Sequence, residues 1–188
     1  MTEAKYGGAA MAAPEVKAPE ENFAADMIKT ALSASENENS PSLLFVCTGN
    51  TCRSPMAEAY FKSKGYKSAF SRGIFTDGSP ISKNAVEALK SHGIMSSAEN
   101  DYENHISKTV TEADIARADF VFAMTGEHMR ALLFAFPQSA DKLFLMPREI
   151  SDPFGGDIDA YNKTLDEIIA ASEEIFPKIG GAGGTALG

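Results

Sequence analysis

Hydrophobic positions in the middle of the chain alternate between short continuous runs and runs with helical spacing. The continuous runs predict strands over residues 43–46, 120–124 and 142–145, and a less apolar run predicts a strand over residues 67–72. Apolar positions at helical spacing predict helices over residues 83–92 and 159–176. Further helices are predicted over residues 53–63, which Gly65 closes, and over residues 126–135, which follow a predicted strand. Strands that alternate with helices form a parallel sheet. The pattern therefore predicts a single α/β domain, a four-stranded parallel sheet with helices on both faces.

The two ends of the chain differ in composition from the part between them. Residues 1–40 are rich in Ala, Glu, Pro and Ser and carry three Lys against seven acidic residues, which is typical of a largely disordered segment. Four apolar side chains within residues 20–33 share one helical face, which fits a helix tucked against the core or one that docks a partner: Phe23, Met27, Ala31 and Leu32. We therefore expect an acidic extension over residues 1–40, a catalytic domain over residues 41–177 and a flexible, glycine-rich tail over residues 178–188.

Charge and cysteine content exclude several classes of protein. The net charge of −9 argues against nucleic acid as a partner, because nucleic-acid recognition needs a basic face. No apolar run approaches the roughly 18 residues of a membrane helix, so no membrane partner is expected. The N-terminus lacks the apolar core of a signal peptide. Two cysteines five positions apart do not form a disulfide framework, which favours a reduced, cytoplasmic setting.

The loop after the first predicted strand carries the clearest chemistry. Cys47 follows the apolar run, and Arg53 stands six positions later at the start of a predicted helix. This order aims backbone N–H groups and a helix N-terminus at one point, which suits an oxyanion. The same groups stabilise a thiolate, and the planar fork of Arg53 fits two phosphate oxygens. We predict a phosphate cradle with Cys47 as nucleophile, Arg53 as clamp and the intervening residues as phosphate-binding positions: Thr48, Gly49, Asn50, Thr51 and Cys52.

A thiolate that attacks phosphorus needs a proton donor for the leaving group. Asp152 is the best candidate, because it lies in the loop after the last predicted strand and therefore at the same edge of the sheet as the cradle. Pro153 restricts Asp152 to extended backbone geometry, although an Asp-Pro pair also opens simple turns. Three other acids are weaker candidates, since they stand in a variable-looking loop or beside predicted elements: Asp77, Asp114 and Asp119.

The three histidines show no spacing typical of metal ligands. We therefore predict no metal and no cofactor. Each histidine is expected to be a surface or helix-end residue: His92, His105 and His128.

The motif from Cys47 to Glu58, Cys-Thr-Gly-Asn-Thr-Cys-Arg-Ser-Pro-Met-Ala-Glu, together with the late Asp152-Pro153 pair, resembles the low-molecular-weight protein tyrosine phosphatases. The similarity extends over residues 42–176. It implies a flavodoxin-like fold, a phosphocysteine on Cys47 and phosphorylated proteins as substrates. It also implies that Ser54 bonds the thiolate, that Asn50 holds the loop, and that Asp152 first protonates the leaving group and then activates water.

Two positions bear on the phosphorylated residue. Thr51 in the cradle and Phe154 after the Asp-Pro pair resemble the protein arginine phosphatase branch, whereas tyrosine-directed members usually have a larger aliphatic residue and a tyrosine there. A threonine hydroxyl can accept a hydrogen bond from a phosphoguanidinium N–H, which an aliphatic group leaves unpaired. Phe154 would wall the pocket and narrow it. We expect phosphoarginine as substrate, with phosphotyrosine as the alternative.

Other classes of function stay open at this point. A related fold reduces arsenate with further downstream cysteines, and no cysteine follows Cys52 in this chain. A Cys47–Cys52 disulfide would be an oxidative off-switch. A non-catalytic phosphate-binding module is the third class, although the joint presence of Cys47, Arg53 and Asp152 argues against it.

Overall fold

The first buried run of the sequence forms the central strand of one sheet. A computed structural model describes residues 40–179, and the predictions for residues 1–39 and 180–188 lie outside this range. Its helices and strands, in chain order, are β1 (Leu43–Cys47), α1 (Arg53–Ser63), β2 (Phe70–Gly73), α2 (Lys83–Ser91), α3 (Glu112–Arg117), β3 (Phe120–Ala123), α4 (Gly126–Ala135), β4 (Leu143–Leu145) and α5 (Ile158–Ile175). Short 3₁₀ turns cover Tyr102–Asn104, Pro137–Lys142 and Phe176–Lys178.

The four strands are parallel and lie in the order β2-β1-β3-β4. The direction of the strand order reverses between β1 and β3. The connection after β1 leads to β2 on one side, and the connection after β2 crosses over β1 to reach β3 on the other side. In open α/β sheets the carboxyl ends of the strands at such a reversal flank the ligand crevice. This topology confirms the predicted fold and places the loop after β1 at that crevice.

Helices cover both faces of the sheet, as the sequence pattern predicted. All five residues of β1 are buried, which explains its unbroken apolar run. Phe45 packs on one face against the aromatic rings of Phe61 and Phe122, beneath α1, α2 and α5. Leu44 and Val46 point to the other face, beneath α3 and α4. Rigid packing on both sides fixes the position at which β1 delivers Cys47.

The structure differs from the sequence pattern in two places. The second strand begins at Phe70 rather than at residue 67, because the chain turns first, with the Ala69 N–H donating to the Tyr66 carbonyl oxygen at 3.0 Å. Helix α3 was not predicted. It is a six-residue helix that begins with a capping box, in which Thr111 and Asp114 each accept from the other's backbone N–H.

No helix among the described residues is long and apolar enough to cross a membrane.

Gly73, the last residue of β2, allows the loop after β1 to pass close to the sheet. A Cβ atom placed on Gly73 would lie 2.7 Å from the Thr48 carbonyl oxygen, 2.5 Å from the Thr76 methyl and 3.1 Å from the Asn50 Cβ. The Thr48 carbonyl oxygen belongs to the backbone and cannot move aside as the end of a flexible side chain can. The close approach therefore requires glycine at this position.

We expect Gly73→Ala to destabilise the protein by about 1–3 kcal/mol, the usual cost of overpacking, and to lower the activity expected of the loop after β1 by displacing that loop. Urea unfolding and turnover measure the two effects. Gly126→Ala is the matched control, because its added methyl group would meet only the Arg130 side chain, at 3.7 Å. A stable, fully active Gly73→Ala protein would contradict the close approach.

Candidate active site

The loop between β1 and α1 forms the floor of the candidate site. β1 ends at Cys47, and α1 begins at Arg53. No side chain caps the N-terminus of α1, and its first turn contains no acidic residue. The first backbone N–H groups of this helix are therefore left to bind an anion supplied from outside the helix.

The Cys47 thiol lies at the bottom of this loop and is 3 % exposed. Its Sγ atom is 3.0 Å from the Ser54 hydroxyl oxygen, and it accepts a hydrogen bond from the Asn50 backbone N–H at 3.3 Å. A hydroxyl and an N–H that converge on sulfur stabilise the thiolate form, which is the nucleophilic form. The predicted partnership between Ser54 and Cys47 is present in the structure.

Asn50 holds the loop in a strained conformation. Its φ of 54° lies in the left-handed region, which asparagine tolerates better than most residues. The side chain is buried and donates to the Ser54 and Ser71 hydroxyl oxygens, both at 2.9 Å, and it accepts from the Lys108 backbone N–H at 3.0 Å. These bonds fix the loop to α1, β2 and the segment before α3.

Arg53 and Asp152 meet across the site although they are far apart in sequence. Nη2 of Arg53 donates to Oδ2 of Asp152 at 2.8 Å, with the arginine side chain 6 % exposed and the carboxylate 51 % exposed. Nε of Arg53 is buried and has no hydrogen-bond partner among the described residues. A buried guanidinium with an unpaired donor, at the end of the loop that begins with Cys47, calls for an acceptor, and a phosphoryl oxygen is an acceptor of the right charge.

An open cleft of about 930 Å³ begins at the rim of the loop. Gly49 and Thr51 line one end of it, and Phe154 lines another part with its ring 80 % exposed. The Thr48 side chain stands beside Arg53, whose Nη2 lies 3.4 Å from its hydroxyl oxygen. The structure therefore brings Thr48, Gly49 and Thr51 to the mouth of the cradle and Phe154 to the wall of the cleft.

The Cys52 side chain is buried and is not among the residues that line the cleft. Its Sγ atom lies 3.2 Å from the Tyr161 hydroxyl, which also accepts a hydrogen bond from Ser82 at 2.9 Å. Burial raises the pKa of the Cys52 thiol, and burial together with the Cys52 contact raises the pKa of Tyr161 to about 12. Cys52 is therefore held as a neutral thiol, and a contribution of this residue to phosphate binding comes from its backbone.

Two of the three weaker acidic candidates are engaged in structural roles. Asp114 pairs with Arg72 at 2.9 Å and closes the capping box of α3. Asp119 accepts from the Ser42 backbone N–H at 2.8 Å. Asp77 lines the cleft, where it accepts from the Ser79 N–H at 3.0 Å. Asp152 is the one of these four that contacts Arg53.

His128 lies at a helix end, as expected for the histidines, but it is buried rather than at the surface. His128 is 6 % exposed on the first turn of α4, and its Nε2 lies 2.9 Å from the Thr48 hydroxyl oxygen. Burial, followed by the Arg53 charge, lowers its pKa to about 4. His105 also contacts the cradle, with Nε2 3.0 Å from the Asn50 carbonyl oxygen. No local pattern marks these residues, because both reach the loop from segments distant in sequence.

Among residues 40–179, no group of three or more His, Cys, Asp or Glu side chains is arranged to hold a metal ion.

Comparison with known proteins assigns this arrangement to a family. The sequence model of the low molecular weight phosphotyrosine protein phosphatases matches residues 42–182. The chain belongs to this family. The chain is therefore a cysteine-dependent phosphatase, and the predictions of family, fold and enzyme class are confirmed.

Similar members of the family include phosphatases of two kinds. A protein-arginine-phosphatase of Bacillus subtilis is 40% identical over 141 residues, which cover 67% of this chain and 88% of the relative. A low molecular weight protein tyrosine phosphatase from T. tengcongensis is 40% identical, with a TM-score of 0.65 over 72% of this chain and 97% of the other. The YwlE arginine phosphatase, solved as a cysteine-to-serine mutant with a phosphorylated active-site serine, is 36% identical, with a TM-score of 0.64 over 71% and 91%.

We expect acid to destabilise the wild-type phosphatase more than a His128→Gln variant. The pKa of folded His128, with Arg53, Asp152 and Glu127 around it, lies below the ordinary value of 6.5. The unfolded chain therefore binds this proton first, and the free energy of unfolding decreases as the pH falls from about 6.5 towards 4. The His128→Gln variant lacks this histidine proton uptake, so that only the protonation of the carboxylates destabilises it in acid. Urea unfolding at about pH 7 and about pH 4.5 measures the two losses, and equal losses would contradict the assignment.

Proposed function

We propose that the protein is a protein-arginine phosphatase that acts through a phosphocysteine on Cys47. The observation that carries the proposal is the composition of one loop and its partner. The loop between β1 and α1 begins at the Cys47 thiol and ends at Arg53, which pairs with the Asp152 carboxylate, and Thr51 of the same loop lines the cleft. Thiolate, cation and acid are the three groups that a two-step phosphoryl transfer needs.

In the first step the Cys47 thiolate attacks phosphorus, and the bond from phosphorus to the guanidino nitrogen breaks. Arg53 and the N–H groups at the start of α1 bind the phosphoryl oxygens through the transition state. Asp152 pairs with Arg53 in the free site. When substrate binds, the phosphoryl group replaces Asp152 as the partner of the Arg53 guanidinium. Once released from Arg53, the Asp152 carboxylate takes up a proton from solvent and gives it to the leaving nitrogen, so that the arginine side chain departs as a guanidinium.

In the second step water attacks the phosphorus of the phosphocysteine. The Asp152 carboxylate takes the proton of this water, the bond between sulfur and phosphorus breaks, and Cys47 leaves as a thiolate while orthophosphate forms. The Ser54 hydroxyl, 3.0 Å from sulfur, stabilises the departing thiolate. Both steps are balanced without a metal, an oxidant or a cofactor.

The lining of the cleft favours a cationic substrate. Its one charged side chain among the described lining residues is the Asp77 carboxylate. Thr51 is held by its backbone, since the Ser82 N–H donates to its carbonyl oxygen at 2.8 Å, and its hydroxyl has the weak Cys52 thiol as its contact, at 3.6 Å. That hydroxyl is therefore available to a guanidinium N–H. The similarity to protein-arginine-phosphatases supports the same choice.

Phosphotyrosine is the second candidate substrate. Of the aromatic residues that line the cleft, Tyr161 is buried, whereas Phe75 and Phe154 are 77% and 80% exposed. Aromatic rings stack well on a phenyl ring, although they also stack on a planar guanidinium. The tyrosine phosphatase similar in structure supports this alternative.

We also propose a location in the cell for the enzyme and a further partner. Both cysteines are free thiols, which suits the reduced cytoplasmic setting that the sequence predicts. Docking of a protein partner by the N-terminal extension stays a prediction.

We expect the purified protein to hydrolyse a phosphoarginine peptide faster than a phosphotyrosine peptide of the same flanking sequence. Thr51→Val, which keeps volume and removes the hydroxyl, should reduce the ratio of the two kcat/KM values by about tenfold, the worth of one hydrogen bond of about 1.4 kcal/mol. Thr51→Ile should shift the preference in the same direction. Steady-state kinetics on both peptides measures the ratio.

Thr51→Ser is the matched control for this experiment, because it keeps the hydroxyl and should keep the preference. Faster hydrolysis of the phosphotyrosine peptide by the wild-type protein would overturn the arginine assignment and leave the two-step mechanism standing. A ratio unchanged in Thr51→Val would show that Thr51 does not select the substrate.

A further inference from the structure

Both ring nitrogens of His128 are used in hydrogen bonds that link α4 to the cradle. Nδ1 lies 2.7 Å from the hydroxyl oxygen of Thr125, which caps α4, and Nε2 lies 2.9 Å from the Thr48 hydroxyl oxygen. Thr48 precedes His128 by 80 residues, so the contact joins two separate segments of the chain. A buried imidazole held at both nitrogens has one orientation only.

The polarity of these bonds follows from the neighbouring Arg53. Nη2 of Arg53 donates to the Thr48 hydroxyl oxygen, so this oxygen must present a lone pair to the guanidinium. If neutral His128 accepts a hydrogen bond at Nε2, the Thr48 hydroxyl is the donor, and the lone pairs of the Thr48 oxygen are free to accept from Arg53. Nδ1–H then donates to Thr125. A protonated imidazole would instead place a second cation beside Arg53.

Thr48 is the contact that Arg53 can keep throughout the reaction. The other protein partner of Nη2 is Asp152, which is half-exposed and has to leave Arg53 in order to protonate the leaving group. Thr48 itself is exposed to solvent, and a free threonine side chain would rotate between rotamers. The bond to His128 fixes its χ1 torsion and therefore the position of its oxygen.

From this chain of contacts we infer that His128 is a positioning residue, which keeps the Arg53 guanidinium aimed at the phosphoryl group by holding the Thr48 hydroxyl. The inference rests on the proposed phosphoryl transfer at Cys47 and applies to phosphoarginine and phosphotyrosine alike. It assigns to α4 a part in oxyanion binding, although no residue of α4 stands in the loop between Cys47 and Arg53.

Two variants of similar size separate this role from simple support of the fold. The amide of His128→Gln reaches the position of Nε2 and can bond Thr48. The shorter amide of His128→Asn reaches only the position of Nδ1 and keeps the bond to Thr125. We expect His128→Asn to weaken orthovanadate binding and to lower kcat/KM, each by about three- to tenfold, whereas His128→Gln stays within about twofold of the wild-type protein.

A double-mutant cycle tests the route through Thr48. In a Thr48→Val background, which lacks the hydroxyl, the change from His128 to Asn should have no further effect on orthovanadate affinity. Orthovanadate affinity is measured by calorimetry and kcat/KM with para-nitrophenyl phosphate, and the melting temperature of each variant is recorded. His92→Ala is the control, because His92 bonds Asp166 and the Ala88 carbonyl oxygen away from the site, and its activity should equal that of the wild type.

Equal effects of the Asn and Gln variants, or an undiminished effect of the Asn variant in the Thr48→Val background, would overturn the inference and leave His128 a structural residue. The outcome is independent of the proposed substrate, because orthovanadate binding reports on the cradle alone. A wild-type protein that binds orthovanadate but hydrolyses neither phosphopeptide would refute the proposed function and still allow the role of His128 to be read.

Discussion

The hydrogen bonds of the Asn50 side chain are the constraint on which the site depends. They hold a loop residue at a φ of 54° and connect it to α1, β2 and the segment before α3. In this conformation the Asn50 N–H points at Cys47 Sγ, and the loop closes on the N-terminus of α1. Without these bonds the strained backbone would relax, and the thiol would lose an N–H donor. The position of the Cys47 thiol, the proposed nucleophile, is thus maintained by a residue that has no part in the proposed bond changes.

Electrostatics complements this geometry. The uncapped N-terminus of α1 and the buried Arg53 concentrate positive charge at one point, which is unfavourable in the absence of an anion. In the free protein the Asp152 carboxylate supplies that negative charge. The neighbouring His128 adds no further positive charge, because its pKa is lowered to about 4 and its ring is neutral near pH 7. In the proposed reaction, an incoming phosphoryl group takes the place of this half-exposed carboxylate beside Arg53.

The sequence predicted the features that depend on neighbouring residues. The buried run of β1 and the helical spacing of the apolar residues in α5 are local signals, and Gly126–Ala135 is the helix that was predicted. Cys47 and Arg53 were recognisable because they occupy one continuous loop. Asp152, far along the chain, was found from topology, because the carboxyl ends of parallel strands meet at one edge.

The partners that come from distant segments were not predictable in the same way. His128 is a polar residue on the first turn of a helix, a position that is usually exposed, and only the packing of α4 beside the loop buries it. Ser71 and Tyr161 carry no local sign of their contacts with Asn50 and Cys52, since those contacts arise from the pairing of β1 with β2 and from the return of α5. In both cases long-range packing decides which side chains meet.

The central claim, that Cys47 accepts the phosphoryl group, is tested most directly by trapping the intermediate. An Asp152→Ala variant, given para-nitrophenyl phosphate, whose leaving group needs little protonation, should form the phosphocysteine and hydrolyse it slowly. Mass spectrometry after acid quench should then find one phosphate on Cys47, and none in a protein that also carries Cys47→Ala. Phosphate on Cys52 or on another residue, or turnover retained by Cys47→Ala, would contradict the account.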